Sequence, residues 1–585
     1  MRTAEVPIAA QGLLLQFCES GMLRPVDFHL ARRMAQLSRE TDERVELAMA
    51  LATRELRLGS VCLDITSAHT LLPDTGDDGT QVGGADSPAP PLDWPEPSEW
   101  LELLRNSPAV AGADGPDRPF RLVGALFYLD RFWAEERTVE ACLLSRSSLS
   151  AMPVPREGLE RALETDPPLA PTDPQRVAVE AALTNATTVI TGGPGTGKTT
   201  TVARILRGLQ DSEHPPLVAL AAPTGKAATR LETSVRDALG DAGGLRVRSS
   251  TLHKLLDIVP GRERRTFGPE NPLPHDVVIV DETSMVSLTM MSWLLEAVPE
   301  STRLVLIGDP DQLESVEVGA VLADIAGSEA LVTSSSGSGV VALTHNWRSN
   351  EEINELSAAI RDGQSERALE LLTEGETCSL IPYTGTEGFA TFSELTADVL
   401  DCASAVQAAA VAGDGELANR ELARHRILCA HREGPFGVSR WGSSARSWLS
   451  EQLTDYGLTA GPWAGQPLLI TRSSDTVANG DTAVVTLRGG RLVACIDRAR
   501  GPLWRDPAVL DGAVDLHAMT IHKSQGSQFG AVSVILPPVG SPLLTRQLVY
   551  TAVTRARRGV RIYGSPESLR QAIETPARRA SGLGR

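Results

Sequence analysis

The stretch Thr188-Val189-Ile190-Thr191-Gly192-Gly193-Pro194-Gly195-Thr196-Gly197-Lys198-Thr199 decides the reading of this chain. Its last eight residues match G-x-x-x-x-G-K-[ST]. An apolar β run (Thr188 to Thr191) precedes them and a helical run (Thr200 to Leu209) follows, which is the context a phosphate-binding loop demands. Glycines let backbone N–H groups turn inward around phosphate oxygens, and the following helix N-terminus favours negative charge. On this reading Gly192, Gly193, Pro194, Gly195, Thr196, Gly197, Lys198, Thr199 and Thr200 form the nucleotide cradle. Lys198 reaches the β- and γ-phosphates, and the Thr199 hydroxyl ligates Mg²⁺.

A cradle of this kind needs acids at the end of another strand. Val277-Val278-Ile279-Val280-Asp281-Glu282 supplies them. Asp281 is the expected Mg²⁺ partner, and Glu282 is placed to polarise an attacking water as general base. The adjacent pair favours hydrolysis over nucleotide binding alone.

Outward from these two motifs, the chain from 175 onward alternates helix signals with short apolar runs. The runs are Thr188–Thr191, Val218–Ala221, Val277–Val280, Leu304–Ile307 and Val340–Leu343. Runs bounded by turn residues fit buried parallel strands. A second α/β segment has strands near Arg426–Ala430 and Val532–Leu536. Between them Leu468–Ile470, Thr482–Leu487 and Leu492–Ile496 read as a small β insertion. Before residue 165 the pattern is helical: Arg24 to Leu37, Asp42 to Leu58, and Phe120 to Glu136. The apolar patch Gly12 to Phe17 reads as an amphipathic helix rather than a signal peptide. Leu71–Glu99, Gly112–Pro119, Pro167–Pro174 and Ser334–Gly339 read as loops or linkers.

Composition bounds the partners. The chain has 585 residues, 42% hydrophobic and 22% charged, with no apolar run near the ~20 residues of a membrane span. Seven scattered cysteines with no C-x-x-C pair argue against a disulfide framework and a zinc site, and fit a cytoplasmic protein. The net charge of −19 argues weakly against nucleic acid. The lysines argue the other way. All but four of the 55 basic residues are arginine. The four lysines are Lys198, in the phosphate-type loop, and Lys226, Lys254 and Lys523, each inside one of the sequence blocks described next. A compact ammonium and a planar guanidinium are not interchangeable at a phosphate.

Those blocks resemble, in order, the motifs of superfamily 1 helicases, and most closely the RecD family. Asp173-Pro174-Gln175-Arg176 looks like the Q motif, whose glutamine reads adenine. Ala222-Pro223-Thr224-Gly225-Lys226-Ala227-Ala228 looks like motif Ia. Ser250 to Leu256 looks like the next DNA-contact block. Asp281 to Val286, Gly308 to Val316, Leu343 to Arg348, Met519 to Phe529 and Val549 to Arg557 resemble motifs II to VI. The resemblance covers about 175–565.

The resemblance implies an α/β fold of two RecA-like parallel-sheet motor domains. The second carries a small β-barrel-like insertion, and a mainly helical N-terminal domain precedes both. The expected divisions are 1–165 (partner docking), 166–343 and 344–585, with the insertion at about 440–515. It implies an ATP- and Mg²⁺-dependent DNA helicase. The expected setting is a helicase–nuclease with RecB-type and RecC-type subunits, acting 5′→3′ at double-strand break ends in recombinational repair. No nuclease site and no membrane contact are expected in this chain. Gln312 would sense the γ-phosphate. Arg348 and Arg555 would be arginine fingers, suited by their planar cations to spread phosphoryl charge. Trp347 would lie against adenine. Thr224, Lys226, Thr251, His253, Lys254, Thr520, His522 and Lys523 would hold the strand through its phosphates. His253 and His522 have no third ligand at metal spacing. One departure stands out: Gln528 occupies the motif V position where the family has a glutamate for the ribose hydroxyls. Weaker ribose selection is expected, not loss of activity.

Overall fold

A computed structural model describes residues 6–73, 92–149, 156–164, 170–210, 215–239, 245–259, 264–315, 317–333, 338–346, 350–385, 392–458, 461–474, 476–498, 501–577 and 579–584. Most of the Leu71–Glu99 loop, and parts of the Pro167–Pro174 and Ser334–Gly339 stretches, lie outside these residues, as do Trp347 and Arg348.

The N-terminal region packs helices Gly12–Glu19, Pro25–Ser38, Glu43–Arg57 and Pro97–Asn106 around Phe17, Phe28, Met49 and Trp100. They cover a sheet of β1 (Cys62–Asp64), β2 (Val110–Ala111), β3 (Phe120–Val123) and β4 (Leu126–Leu129), in the order β1-β4-β3-β2. Here the expectation of a helix over Phe120 to Glu136 is corrected. Phe-Arg-Leu-Val and Leu-Phe-Tyr-Leu pair as an antiparallel hairpin around Gly124, whose φ of +63° only glycine adopts freely. Aromatic and β-branched side chains favour the pleated surface over a helix. The helix begins only at Asp130 and runs to Ser147. Its Val139 and Leu143 join the core of the next unit. The buried Arg146 fastens the two together, donating to Thr187 Oγ1 and to the carbonyls of Ala186 and Pro299.

The first α/β lobe is a six-stranded parallel sheet. Its strands are β5 (Thr187–Gly192), β6 (Leu217–Ala222), β7 (Arg246–Thr251), β8 (Val277–Val280), β9 (Arg303–Gly308) and β10 (Val340–Leu343). Their order is β10-β5-β9-β8-β6-β7. Five of the six were legible as apolar runs. The edge strand β7 (Arg-Val-Arg-Ser-Ser-Thr) was not, because an edge strand needs no continuous hydrophobic run. Helix Arg156–Leu163 packs its Leu159 and Ala162 against Ile205 and Leu206 of this lobe, so we place it with this lobe although it precedes residue 166.

The second lobe is also parallel. Its strands are β11 (Cys378–Ile381), β12 (His425–Cys429) and, after an insertion of β13 (Pro467–Ile470), β14 (Thr482–Arg488), β15 (Arg491–Ile496), β16 (Leu503–Arg505) and β17 (Ala513–Asp515), the strands β18 (Ala518–Thr520), β19 (Phe529–Ile535) and β20 (Ala556–Tyr563). The lobe orders them β11-β20-β19-β12-β18. The insertion is an antiparallel sheet ordered β16-β15-β14-β13-β17, with no pairing between its outer strands among the described residues. Helix Val438–Gln452 lies on the lobe, with Trp441 and Trp448 in its core, so the inserted sheet itself occupies 467–515.

Candidate active site between the lobes

In the first lobe, the strands deliver their loops to one edge of the sheet, the arrangement in which open α/β sheets bind ligands. The phosphate-type loop follows β5. Gly195 and Gly197 take φ of +86° and +87°, and helix Lys198–Gly208 starts immediately after. The Lys198 ammonium folds over the loop, donating to the carbonyls of Gly192 and Gly193. Gln175, on the first turn of helix Pro174–Thr184, donates to the Thr196 carbonyl at 3.3 Å and accepts from Arg204 at 2.8 Å. A Cβ on Gly197 would stand 2.2 Å from Gln175 Nε2, and one on Gly193 would stand 2.8 Å from the Tyr550 hydroxyl. A side chain at either position would displace its neighbour, and at Gly197 the φ of +87° adds backbone strain.

Asp281 and Glu282 follow β8. Glu282 adopts φ of +52°, a left-handed conformation rare for a non-glycine residue and common at functional turns. Its N–H donates to Asp281 Oδ1 at 2.9 Å. Burial first, and the neighbouring Glu282 second, push the Asp281 carboxyl up to about 6, against the pull of Lys198. Asp309, which follows β9 and is 1% exposed, is also raised by burial and also opposed by Lys198. Asp281 and Asp309, both acted on by the Lys198 ammonium, and the hydroxyl of Thr199, next in sequence to Lys198, are hard oxygen donors of the kind that suits a divalent cation with a polyphosphate.

A carboxylate with a raised folded-state value is disfavoured in its ionised form. That cost is present above about pH 6 and absent below the ordinary Asp value. In nucleotide- and cation-free protein, Asp281→Asn is therefore expected to stabilise at pH 7.5 by about 3 kcal/mol. The gain in melting temperature should shrink toward pH 4. A pH-independent difference would contradict this account.

The second lobe closes onto the loop after β9. Arg555 is 2% exposed. It donates to Gln312 Oε1 at 2.7 Å, to the Thr551 carbonyl at 3.1 Å and to the Ser527 carbonyl at 3.4 Å. Gln312 in turn donates to Asp309 Oδ2 at 2.7 Å, which also accepts from the Tyr550 hydroxyl at 3.2 Å. Leu313 is held at both ends of its peptide unit: its N–H donates to Thr551 Oγ1 and its carbonyl accepts from Gln525 Nε2. Arg230, on helix Gly225–Leu239, reaches the Gly526 carbonyl at 3.3 Å. Asp309, Tyr550, Arg230 and Gln525 were not singled out from the sequence. A signal existed for two of them. Asp309 ends a buried strand as Asp281 does, and Tyr550 stands five residues before Arg555.

The expected strand-contact residues fall into two groups. Thr251 and Thr520 end strands β7 and β18, and Thr224 stands two residues beyond the end of β6. Each hydroxyl accepts a backbone N–H three residues on, from Ala227, Lys254 and Lys523. That fixes each oxygen and leaves its O–H free to donate outward. His253, Lys254 and Lys523 are exposed. Lys226 is placed differently. Its ammonium crosses the cleft to Ser527 Oγ at 2.9 Å. His522 is half-buried, and burial with the charges of Arg579 and Arg432 pushes it down to about 4, so it is neutral at pH 7.

The Gln528 oxygen accepts both Nε and Nη2 of Arg557. A glutamate there would form an ion pair with Arg557 and present a charged acceptor to a ribose. Gln528→Glu is expected to raise the ATP-over-dATP preference in kcat/KM about three- to tenfold, the ~1 kcal/mol of a charge-assisted hydrogen bond. An unchanged preference would refute it.

Fold and site together define a two-lobed P-loop motor of the superfamily 1 helicase class. Residues 171–380 match the AAA domain family, 19–128 the N-terminal domain of the RecBCD enzyme subunit RecD, and 515–563 the UvrD-like helicase C-terminal domain. The RecBCD enzyme subunit RecD of Mycobacterium tuberculosis is 43% identical over 100% of this chain and 98% of its own. That of Mycolicibacterium smegmatis is 42% identical over 98% of each. The chain belongs to the RecD family. The ATP-dependent RecD2 DNA helicase of Deinococcus radiodurans is 30% identical over 63% of this chain and 46% of its own. Among solved structures, Bacteroides Pif1 bound to single-stranded DNA aligns with a TM-score of 0.39 and 18% identity, over 67% of this chain and 92% of that one.

Proposed function

We propose that this chain is the ATP-dependent DNA helicase subunit of a RecBCD-type enzyme, hydrolysing ATP with Mg²⁺ and moving 5′→3′ along one strand. RecB-type and RecC-type subunits are its partners, a broken DNA end in the cytoplasm is its substrate, and nuclease chemistry is left to a partner. The observation that carries the reading is the chain of hydrogen bonds Arg555–Gln312–Asp309 across the cleft. It makes the distance between the lobes depend on what occupies the phosphate loop.

The residues divide the work. Backbone N–H groups of Gly193 and of Gly195 to Lys198, with the Lys198 ammonium, hold the β- and γ-phosphates. Thr199 and Asp281 would hold a Mg²⁺, which would supply neutralising positive charge to the phosphates. Glu282 orients the attacking water and takes its proton. Arg555, with Arg348, brings positive charge from the second lobe to the charge that develops on the transferred group. Gln175 and Trp347 hold the adenine, and Gln528 faces the ribose. Gln312 reports the γ-phosphate to the second lobe, whose Thr520 loop grips the strand alongside the Thr224 and Thr251 loops. Each cycle of closing and opening then moves one grip relative to the other. Neutral His522 donates or accepts a hydrogen bond without adding charge.

The acidic surface does not oppose this reading, because a strand needs only a local basic track. The test is co-purification with candidate RecB- and RecC-type partners, with unwinding of 5′- and 3′-tailed duplexes. Single-stranded DNA is expected to stimulate ATP turnover, and the 5′-tailed duplex to be unwound. ATP turnover indifferent to DNA would favour a nucleotide lock on an assembly. Unwinding only from a 3′ tail would overturn the polarity.

A further inference from the structure

The segment after the last helix (Pro566–Glu574) does not stay with its own lobe. At its start it is bound to the second lobe: the Arg546 N–H donates to the Thr575 carbonyl, and the Ala577 N–H to Gln547 Oε1. Two residues later it is bound to the other side of the cleft. Arg579 inserts its guanidinium into the loop that follows Gln312 and Leu313. Nη2 donates to the Ser315 carbonyl at 2.6 Å, Nη1 to the carbonyls of Glu317 and Gly319 at 3.0 and 3.2 Å, and Nε pairs with Glu314 at 2.7 Å. The socket is completed by Gly59 of the N-terminal region, where a Cβ would lie 2.5 Å from Arg579 Cζ. Gly59 has φ of +96°, and its carbonyl accepts the Gly319 N–H at 2.9 Å.

Beyond Arg579 the segment continues along the N-terminal region. The Ala580 carbonyl accepts from Val61 and Cys62. Ser581 Oγ and the Gly582 N–H both donate to the buried Glu136. Leu583 is buried in the first lobe's core. None of the family matches reaches these residues, and no motif of the sequence analysis includes them.

Two residues of extended chain span about 7 Å at most, so the anchors on either side of the cleft cannot part without one letting go. The Arg579 side holds four guanidinium contacts and the bonds of Ala580 to Gly582. The Ala577 side holds two hydrogen bonds. We propose that Thr575–Gly584 is an inter-lobe strap, and that Arg579 is a positioning residue that fixes the Glu314–Gly319 loop so that Gln312 meets Arg555. The strap makes the lobes pivot beside the Gln312 loop rather than separate. It ties that pivot to the N-terminal region, so a partner docked there can act on the cleft. Arg579 makes its guanidinium contacts with the Glu314–Gly319 loop. It acts through the loop it holds.

This inference rests on the helicase reading, and the experiment separates the two. In the full-length chain, ATP turnover is measured with and without single-stranded DNA for wild type, Arg579→Ala, Arg579→Lys and Glu314→Gln. Wild type without DNA stimulation would defeat the helicase reading, whatever the variants do. Arg579→Ala is expected to lose about tenfold in DNA-stimulated kcat, with KM for ATP and DNA-free turnover within twofold. Arg579→Lys keeps the charge but not the fork and should recover less than half of the loss. Glu314→Gln combined with Arg579→Ala should add nothing to Arg579→Ala alone. Spin labels on Glu270→Cys and Glu374→Cys, in a Cys142→Ser background, read the geometry without activity. Their distance distribution should broaden in Arg579→Ala. Stimulated turnover within twofold of wild type, equal losses with and without DNA, full recovery by lysine, or an unchanged distance distribution in folded protein would each overturn the strap.

Discussion

Lys198→Ala is expected to lower ATP turnover by about 10³-fold or more, roughly 4 kcal/mol of transition-state stabilisation, and to abolish unwinding. The ammonium has two jobs in this geometry. It lies over the Gly192 and Gly193 carbonyls at the mouth of the cradle, the proposed place of the β- and γ-phosphates. It is also a positive charge that holds down the titration of both Asp281 and Asp309. Alanine removes both effects. Residual activity should therefore be confined to higher pH than in the wild type, because the two carboxyls hold their protons more tightly. The position is at a loop mouth, so the fold should survive, and the variant's melting temperature provides the control. Steady-state ATP hydrolysis with and without single-stranded DNA, across pH 6 to 9, is the measurement. Turnover within tenfold of wild type would refute the site. Lys198→Arg should fail as well, since a guanidinium fork does not fit a position built for a compact charge.

Arg555→Ala is the second large effect. An arginine supplied across a cleft to a transferring phosphoryl group contributes ~10³–10⁵ in rate, so kcat should fall by at least about 10³-fold while KM for ATP changes little. The side chain is buried and donates to Gln312, Thr551 and Ser527 at once. Lysine can replace its charge but not its three directions, so Arg555→Lys should recover little. Since Arg555 and Gln312 share one hydrogen bond, Gln312→Ala and Arg555→Ala should be strongly non-additive in a double-mutant cycle. Strict additivity, or an Arg555→Ala that raises KM and spares kcat, would place Arg555 in ground-state nucleotide binding instead. Gln312→Ala keeps the test open should Arg555→Ala prove unstable.

How much of this was legible in residues alone? The parallel sheet of the first lobe was, because strands buried on both faces must be near-continuous apolar runs, and Val277–Val280 kept its expected bounds. The hairpin over Phe120–Leu129 was not. Seven of its eight strand residues, all but Arg121, carry large apolar or aromatic side chains at spacings that a helix and a strand both tolerate, and only pairing with β1 decides between them. Gln175 was expected to read adenine because its block resembles the Q motif; its bond to the Thr196 carbonyl of the phosphate-type loop is a contact that the resemblance did not specify. Lys226 was read with the strand contacts, yet its ammonium bonds Ser527 of the other lobe. Spacing along one helix carries no information about a partner 301 positions away.

The sequence by itself determined the chemistry of each lobe. A glycine-rich turn after an apolar strand must expose its amides, and an acid pair at a strand end must face the same edge, whatever the rest of the chain does. Only the tertiary structure decided what joins the lobes. The Arg555–Gln312 bond spans 243 positions, the Tyr550–Asp309 bond 241, and Arg579 reaches the Ser315 carbonyl across 264. These contacts link buried polar groups whose cost is met only by partners brought in from a distant segment. Local propensity and periodicity describe how each segment satisfies itself, and are silent on which distant segment completes it.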